Sequence, residues 1–425
     1  MTVADGTVDI AVVGGGMVGA CLALSLAETL AAHGKRLVLL EAAAPATGRS
    51  PSFDGRTSAL SNGSRRILQA LGIWDTIVPE AAPISRIHVT ERGRFGAARI
   101  DAASQGLEAM GYVVPNRVLG DALWIRLTAH PGIELRTPAR VVDCRPADGS
   151  LVLRLQDDQE LPARLVIAAD GAQSRVREAN GVTATVEDYG QVALITQVTC
   201  DRDHHGVAHE RFTPYGPIAV LPLPRSLGAR RVATVWTLTP TEAERVSALA
   251  ETDFLEELQA AFGWRLGRFT AAGERLAYPL ALVQAGQLVA PRLAIIGNAA
   301  QGLHPIAGQG FNLGLRDAVT LAECIADSLA AGGDDVGDGS LLDRYARWRA
   351  DDRRLLVRFT DGLVKLFGPT LPPLGVARGL GLAAFDLLPP AKAALSTLST
   401  GGGTEHPRLA RGLPLMSRPR TAGAS

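Results

Sequence analysis

The chain opens on an apolar run. Val8–Val13 (VDIAVV) is short, almost unbroken in hydrophobicity and rich in β-branched side chains, the pattern of a parallel strand buried on both faces. Apolar positions at helical spacing follow over Ala20–Leu30, and Arg36–Leu40 (RLVLL) reads as a second buried strand. Two later runs repeat the strand signature, Leu165–Ala169 (LVIAA) and Leu293–Ile296, and a helix is predicted after the second, from about Asn312 through Leu321 toward Ala330. Between these runs lie short alternating segments such as Ile87–Thr90 and Val232–Leu238, which predict strands with one buried face. The stretches that hold them, 83–115 and 184–281, are expected to share one sheet. After Ala330 a Gly/Asp-rich break (GGDDVGDGS) leads to a long helix over about Leu341–Phe367, with an apolar face running from Leu342 and Tyr345 through Trp348 to Leu366. The pattern is α/β.

Composition narrows the classes. With 43 basic and 43 acidic residues the chain is formally neutral, which leaves no basic footprint for nucleic acid. Its 425 residues exceed the usual single domain without a low-complexity linker, so two interleaved domains are expected. Cys21, Cys144, Cys200 and Cys324 lie far apart, a spacing that suggests neither a zinc site nor a disulfide framework and fits a reducing cytoplasm. The N-terminus lacks the basic start, apolar stretch and cleavage site of a secretory signal, and no apolar run is long enough to span a bilayer. A cytoplasmic protein is expected, at most peripheral at the inner membrane surface. Residues 369–425 carry Arg378, Lys392, Arg408, Arg411, Arg418 and Arg420 against Asp386 and Glu405, six minus two giving +4. Such a tail suits an anionic membrane, although a docked helix followed by a disordered end is the plainer expectation.

The first chemical motif follows the first strand. Gly14, Gly16 and Gly19 form G-x-G-x-x-G: the first permits the tight turn, the second lets a pyrophosphate approach the backbone, and the third lets the helix pack closely. The helix that follows presents free N–H groups and the positive end of its dipole to a phosphate. Glu41, at the end of the second strand, stands where a carboxylate accepts hydrogen bonds from an adenosine ribose. These residues predict an adenine dinucleotide and leave FAD and NAD open. The other two buried strands end in Asp170-Gly171-Ala172-Gln173-Ser174-Arg175-Val176-Arg177 and in the long stretch from Gly297 to Asn312.

The ordered set GGGMVG, FDGR, ADGAQSRVR and GNAAQGLHPIAGQGFNLGLRD resembles the group A flavoprotein monooxygenases, specifically the ubiquinone-biosynthesis FAD-dependent hydroxylases, over nearly the whole chain. ERFTPYGPIAVLPL (Glu210–Leu223) and AFGWRLGRFTAAGERLAYPLAL (Ala261–Leu282) look most like the branch acting on 2-polyprenyl-6-methoxyphenol. The resemblance implies a Rossmann-like, para-hydroxybenzoate hydroxylase-like FAD domain (1–82, 116–183 and 282–335) interleaved with a β-sheet substrate domain (83–115 and 184–281). C-terminal helices (336–400) and a disordered tail (401–425) would follow. It implies FAD as cofactor, NAD(P)H and O2 as co-substrates, a prenylated phenol as substrate, and contact with other ubiquinone-biosynthesis proteins. Around FAD it places Gly14, Gly16, Gly19 and Glu41 at the adenosine half, Arg56 and Arg117 near the phosphates, and Asp170 with Gly171 at the second motif. Asn298 stands where the wider superfamily has aspartate, and an amide still donates and accepts there.

Flavin supplies the redox chemistry, and the protein must position it and keep water out. Gly308, Gln309, Gly310, Phe311 and Asn312 can offer backbone N–H groups and a helix N-terminus to the edge of a reduced, anionic flavin, with glycines allowing close approach. A base near the phenol would help the reaction. His304, followed by the rigid Pro305, is the candidate proton carrier in that loop, with a plain hydrogen-bonding role as its alternative. His204, His205 and His209 fall in a polar segment expected to be a surface loop, and no ligand spacing predicts a metal. A hydroxylase of a small soluble phenol and a non-catalytic flavin-binding assembly subunit stay open as alternatives.

Overall fold

A run of mostly apolar, largely β-branched side chains, broken only by Asp9, is best buried in the middle of a sheet, and that is where Val8–Val13 lies. The computed structural model describes residues 6–43, 56–94, 96–302, 309–367 and 406–416. In chain order it contains β1 (Val8–Val13), α1 (Met17–Ala32), β2 (Leu37–Leu40), β3 (Thr57–Ser61), α2 (Asn62–Ala70), α3 (Trp74–Ile77), β4 (Ala82–Ile84), β5 (Arg86–Glu91), β6 (Ala97–Asp101), β7 (Gly111–Pro115), α4 (Asn116–Ala129), β8 (Glu134–Arg136), β9 (Val141–Ala147) and β10 (Ser150–Leu155). There follow β11 (Glu160–Ala168), α5 (Arg175–Ala179), β12 (Ala184–Cys200), β13 (Val207–Thr213), β14 (Gly216–Pro222), β15 (Arg231–Leu238), α6 (Pro240–Ser247) and α7 (Glu251–Phe262). The chain continues through β16 (Phe269–Ala272), β17 (Leu276–Ala285), β18 (Val289–Ala290), β19 (Leu293–Ile295), β20 (Gln301–Gly302), α8 (Gln309–Ala330) and α9 (Gly339–Phe367).

Among the described residues the first sheet has the order β18-β19-β11-β1-β2-β8, with the β9–β10 hairpin on β11. β19, β11, β1, β2 and β8 run parallel. Their register matters for the site: Leu40 is level with Val13, Val13 with Ala168, and Ala168 with Ile295. Four separately predicted strands therefore end in one row. Parallel strands need both faces covered. α1 and α8 pack together, and the core includes Leu22, Leu26 and Leu30 of α1 with Leu315, Val319 and Ile325 of α8. α9 packs on α8 and reaches the same row through Tyr345, wholly buried, whose hydroxyl donates to the carbonyl of Ile295 at 3.2 Å.

The second sheet, in the order β20-β17-β12-β15-β14-β13-β5-β6 with β16 on β12, draws strands from both 83–115 and 184–281. One face packs on α6 and α7: Leu194, Ile218, Val220 and Trp236 meet Phe254, Leu258 and Phe262. On the opposite face Ala208 and Ala233 pack against Ala82, Ile84 and Val113. The two ends of the 83–115 stretch depart from the expected single sheet. β4 and β7 instead pair with β3 in a three-stranded sheet, where Gly111 lies so close to β3 that a side chain there would meet the carbonyl oxygen of Leu60 at 2.5 Å.

Two further expectations are corrected. Of the histidines read as surface loop, only His205 is exposed. His204 is buried, its Nε2 3.1 Å from the carbonyl of Leu223, and His209 continues the alternation of β13 onto the helix-covered face, in edge contact with Phe262. Burial disfavours the charged imidazole at both and pulls the His209 pKa down to about 3. Part of the tail expected to be disordered is packed: Leu409, Ala410 and Leu415 join the main core, and Arg408 donates to the carbonyl of Leu415 at 2.7 Å while pairing with Glu323 and Asp327 of α8. No helix of the described residues is long and apolar enough to cross a membrane.

Candidate active site

The row of strand ends delivers Gly14, Glu41, Asp170 and Gly297 to one edge of the first sheet. Gly14 adopts φ +107°, and a Cβ there would lie 2.4 Å from the carbonyl oxygen of Ala169. At Gly19 it would lie 2.0 Å from the carbonyl oxygen of Gly14, so glycine is required by the fold at both positions. Gly16 differs, because an added Cβ meets nothing within 4 Å. The protein itself makes no demand there; the space beside it, at the N-cap of α1, is a cradle that a side chain would fill. The free N–H groups of the first turn of α1 border that space.

Glu41 is nearly buried, its Oε2 accepting the Gly15 N–H at 2.6 Å and its Oε1 the Ala43 N–H at 3.1 Å. Each oxygen keeps a lone pair for a further donor. Asp170 accepts the Val176 N–H through Oδ2 at 3.3 Å, while Oδ1 is buried with no hydrogen-bond partner. Burial pushes its pKa up, against the hydrogen bonds from Ser174 and backbone. An orphaned buried carboxylate oxygen beside a phosphate cradle suits a hydroxyl-rich ligand. Arg177 was not singled out from the sequence. Its Nη1 donates to the carbonyls of Ala172 and Ala299 at 3.1 and 2.9 Å, tying the Asp170 turn to the turn at Gly297–Ala299.

Gly297 (φ +60°) and Gly314 of α8 both abut Val18 of α1; a Cβ at Gly314 would lie 2.9 Å from the Val18 side chain and 3.0 Å from Gly297 Cα. These contacts bring the first and third motifs together. Asn298 is exposed at this edge. Gly310, Phe311 and Asn312 lie in the first turn of α8, where backbone N–H groups have no acceptor within the helix. The Asn312 side chain serves the scaffold: Oδ1 accepts from Ser61 N–H and Ser64 Oγ at 2.9 and 2.7 Å, and Nδ2 donates to the Ala59 carbonyl at 2.8 Å. Nothing is described of the Gln309 side chain, and His304, Pro305 and Gly308 lie outside the described residues.

Arg56 leads into β3 with its guanidinium 4.8 Å from the centre of the Tyr278 ring, and so links the first motif's surroundings to the second sheet. Arg117, in the first turn of α4, pairs with Asp121 of the same helix at 3.5 Å and stays half exposed.

One further acid, on the second sheet, was quoted from the sequence only for resemblance. Glu210 of β13 lies on the face away from α6 and α7, level with Val89 and Ala219; Ala219 is level with Val235, Val235 with Ile195, and Ile195 with Leu276. The row is apolar and half-buried apart from this acid. Two residues along β17 from Leu276, on the same face, is Tyr278 beneath Arg56. Burial alone raises the Glu210 pKa to about 7. The signal was present in VAHERFT, whose alternation puts Ala208, Glu210 and Phe212 on one face.

Comparison with known proteins agrees with this geometry. A family described as FAD binding domain matches residues 7–360. A ubiquinone hydroxylase, UbiL, of Rhodospirillum rubrum is 38% identical over 418 residues, covering 97% of this chain and 94% of that protein. The 3-demethoxyubiquinol 3-hydroxylase of Escherichia coli is 36% identical over 384 residues, covering 89% and 94% respectively. Among solved structures, p-nitrophenol 4-monooxygenase PnpA of Pseudomonas putida shares the fold, with a TM-score of 0.74 at 21% identity over 94% of this chain and 99% of that one.

Proposed function

Since the chain belongs to the FAD-binding-domain family and, within it, to the ubiquinone-biosynthesis hydroxylases, we propose that it hydroxylates the aromatic ring of a prenylated phenol, with 2-polyprenyl-6-methoxyphenol as the substrate. The single observation that supports a shared cofactor edge is the register that ends β2, β1, β11 and β19 in one row. Bound FAD supplies the redox chemistry, consuming one NAD(P)H and one O2 while one oxygen atom goes to the ring and the other to water.

The chain's own residues bind and orient. Gly14, Gly16 and Gly19 with the first turn of α1 hold the pyrophosphate. Glu41 takes the adenosine ribose, and Asp170 with Gly171, through its free Oδ1, takes a sugar-type hydroxyl. Asn298 serves the ribityl chain, while Arg56 and Arg117 balance the phosphates. The free N–H groups at the start of α8, with Gly308, Gln309, Gly310, Phe311 and Asn312 as the residues assigned to this role, would stabilise the negative charge that a bound flavin gains on reduction. His304, followed by Pro305, is the candidate proton carrier toward the substrate. The apolar row around Ile195, Ala219 and Val235 forms a wall that keeps water from the ring.

The name of the Escherichia coli relative favours a second reading, in which the ring is that of a demethoxyubiquinol. Reconstituted protein supplied with each compound separates the two. The proposal expects a product heavier by one oxygen from the methoxyphenol, with NAD(P)H consumed in step, and fails if only the demethoxyubiquinol is converted. Contact with other ubiquinone-biosynthesis proteins and with the membrane surface that carries such substrates is part of the same proposal. If deletion of residues 370–425 from a still-folded protein leaves liposome binding unchanged, the tail has no part in that contact.

A further inference from the structure

We infer that the cavity between the β5–β6 hairpin and the C-terminal end of α7 binds a soluble, multiply charged anion of the phosphate type. The cavity measures about 270 Å³ and is bordered by Thr90, Glu91 and Arg94 of the hairpin, Arg211 of β13 and Arg265 of the loop after α7. Strand alternation puts Arg211 two residues beyond His209, on the sheet face that α7 covers, and level with Thr90. His209 meets Phe262, the last residue of α7, edge to face. Gly263 then ends the helix at φ +90°, and a Cβ there would stand 3.5 Å from the Arg211 guanidinium. The helix thus covers His209 and stops above Arg211. The loop beyond it is held from beneath: Gln259, buried, donates through Nε2 to the carbonyls of Gly263 and Gly267 at 2.7 and 3.1 Å and accepts the Phe269 N–H at 2.8 Å. One amide therefore fixes both ends of the turn that carries Arg265, which is exposed.

The charges around this cavity are unbalanced. Arg211 Nε is buried without a hydrogen-bond partner, and among the described residues no carboxylate pairs with Arg211 or Arg265. The charged groups that act on Arg211 are Arg265 and Arg92, and the one that acts on Arg265 is Arg99. Burial and these neighbours pull both pKa values down, yet a guanidinium stays charged at neutral pH. Glu91 is the acid at the rim, and Arg94 pairs with it at 3.1 Å. The negative end of the α7 dipole offsets part of the repulsion, but the Gly263 carbonyl is already taken by Gln259. Guanidinium forks from three separate elements converging on one space match an anion that accepts several paired hydrogen bonds at once, as a diphosphate does; a single carboxylate would engage one fork and leave the rest repelling. A recess with Arg211 half-buried in its wall suits a soluble ligand better than a lipid surface. β5 and β6 end the second sheet opposite β20 and β17, so this site is separate from the cofactor edge and does not depend on the substrate reading.

Titration calorimetry of the FAD-loaded protein with sodium diphosphate at low ionic strength tests the inference. One equivalent is expected to bind, with the flavin absorption unchanged and with affinity falling as salt is added. Arg211→Gln and Arg265→Gln, each verified to hold one FAD, should weaken binding about 10-fold or more, and Arg211→Lys, which keeps the charge without the fork, should fall between. Glu91→Gln frees Arg94 and should bind diphosphate more tightly, a gain that misfolding cannot produce. Arg245→Gln, on α6 and paired with Glu242 and Glu257, should bind as the wild type does. Absence of diphosphate binding, or equal affinity in wild type, Arg211→Gln and Arg265→Gln, overturns the inference. So does Arg211-dependent capture by vesicles of phosphatidylcholine and phosphatidic acid when free diphosphate does not bind, because the anion recognised would then be a lipid headgroup.

Discussion

Arg349 of α9 and Asp317 of α8 form an ion pair with Nε 2.8 Å from Oδ1 and side chains only 2% and 1% exposed. The other Asp317 oxygen accepts the Gly297 N–H at 3.2 Å and the Gln301 Nε2–H at 2.6 Å. Arg349 also holds Asp352 at 2.5 Å, and Arg353 donates to the carbonyls of Ala285 and Ala300 at 2.9 and 3.0 Å. α9 is thereby fastened to the turn that presents Asn298.

Removing one member of a buried pair strands the other's charge. Arg349→Ala is expected to cost about 3–5 kcal/mol of stability and to loosen the Gly297–Gln301 turn, so that FAD is lost on dilution. Arg349→Lys keeps the charge without the planar fork and should fall between wild type and alanine. Urea denaturation with flavin fluorescence during dilution checks both; a stable, yellow Arg349→Ala protein would show that the pair does not anchor the loop.

The glycines of the first motif separate folding from binding. Gly14→Ala meets backbone at 2.4 Å in a left-handed conformation and should cost more than about 1 kcal/mol in the flavin-free protein. Gly16→Val meets no protein atom and should leave flavin-free stability within about 0.5 kcal/mol while weakening FAD binding at least 10-fold. Thermal melts of the apoprotein and FAD titration measure the two effects independently. Equal FAD affinity in wild type and Gly16→Val would mean that the cradle does not face the cofactor.

The parts of this site legible in the sequence are those written locally. Val8–Val13 is bounded correctly because its apolar run is broken only by Asp9, and the glycine spacing locates the turn before α1. Long-range closure was less legible. Nothing in RWRADD distinguishes Arg349, which is buried, from Arg347, which is exposed, until α9 is docked on α8. Arg177 likewise reads as one more charge on a short helix. His209 was misread because its neighbours Asp203, His204 and His205 are polar, whereas strand alternation, not local polarity, decides which residues of β13 are covered.

Stability of the flavin-free protein should fall as pH rises through neutrality. The folded chain keeps the Glu210 proton up to about pH 7, whereas the unfolded chain releases it above its ordinary value of 4.5, so the folded state binds more protons in between. Its contribution is present below the lower value and lost through the upper one; Asp170, also raised by burial, acts in the same direction from a lower start. The urea midpoint is expected to decline from about pH 5 to about pH 8, and Glu210→Gln should flatten that decline. Identical slopes in the two proteins would place the titration elsewhere.

The packed stretch 406–416 predicts a sharp difference between two truncations. Arg408 donates its backbone N–H to Glu323 Oε2 at 2.6 Å, its Nε lies 3.0 Å from Glu323 Oε1, and its Nη2 reaches Asp327, one helical turn further along α8. Ending the chain after residue 405 would take from Glu323 its Arg408 partner, leave Asp327 with Arg344 alone, and uncover the core beneath Leu409, Ala410 and Leu415. Ending it after residue 416 removes none of these contacts. The shorter protein should melt several degrees lower, the longer one within about 2 °C of the full chain, and Arg408→Ala should reproduce part of the loss. Glu323 and Asp327 lie on the same helix as Gly314 and Asp317, which meet the cofactor turn, so the shorter truncation should also weaken FAD retention. If both truncations melt with the full chain, the segment covers the core without stabilising it.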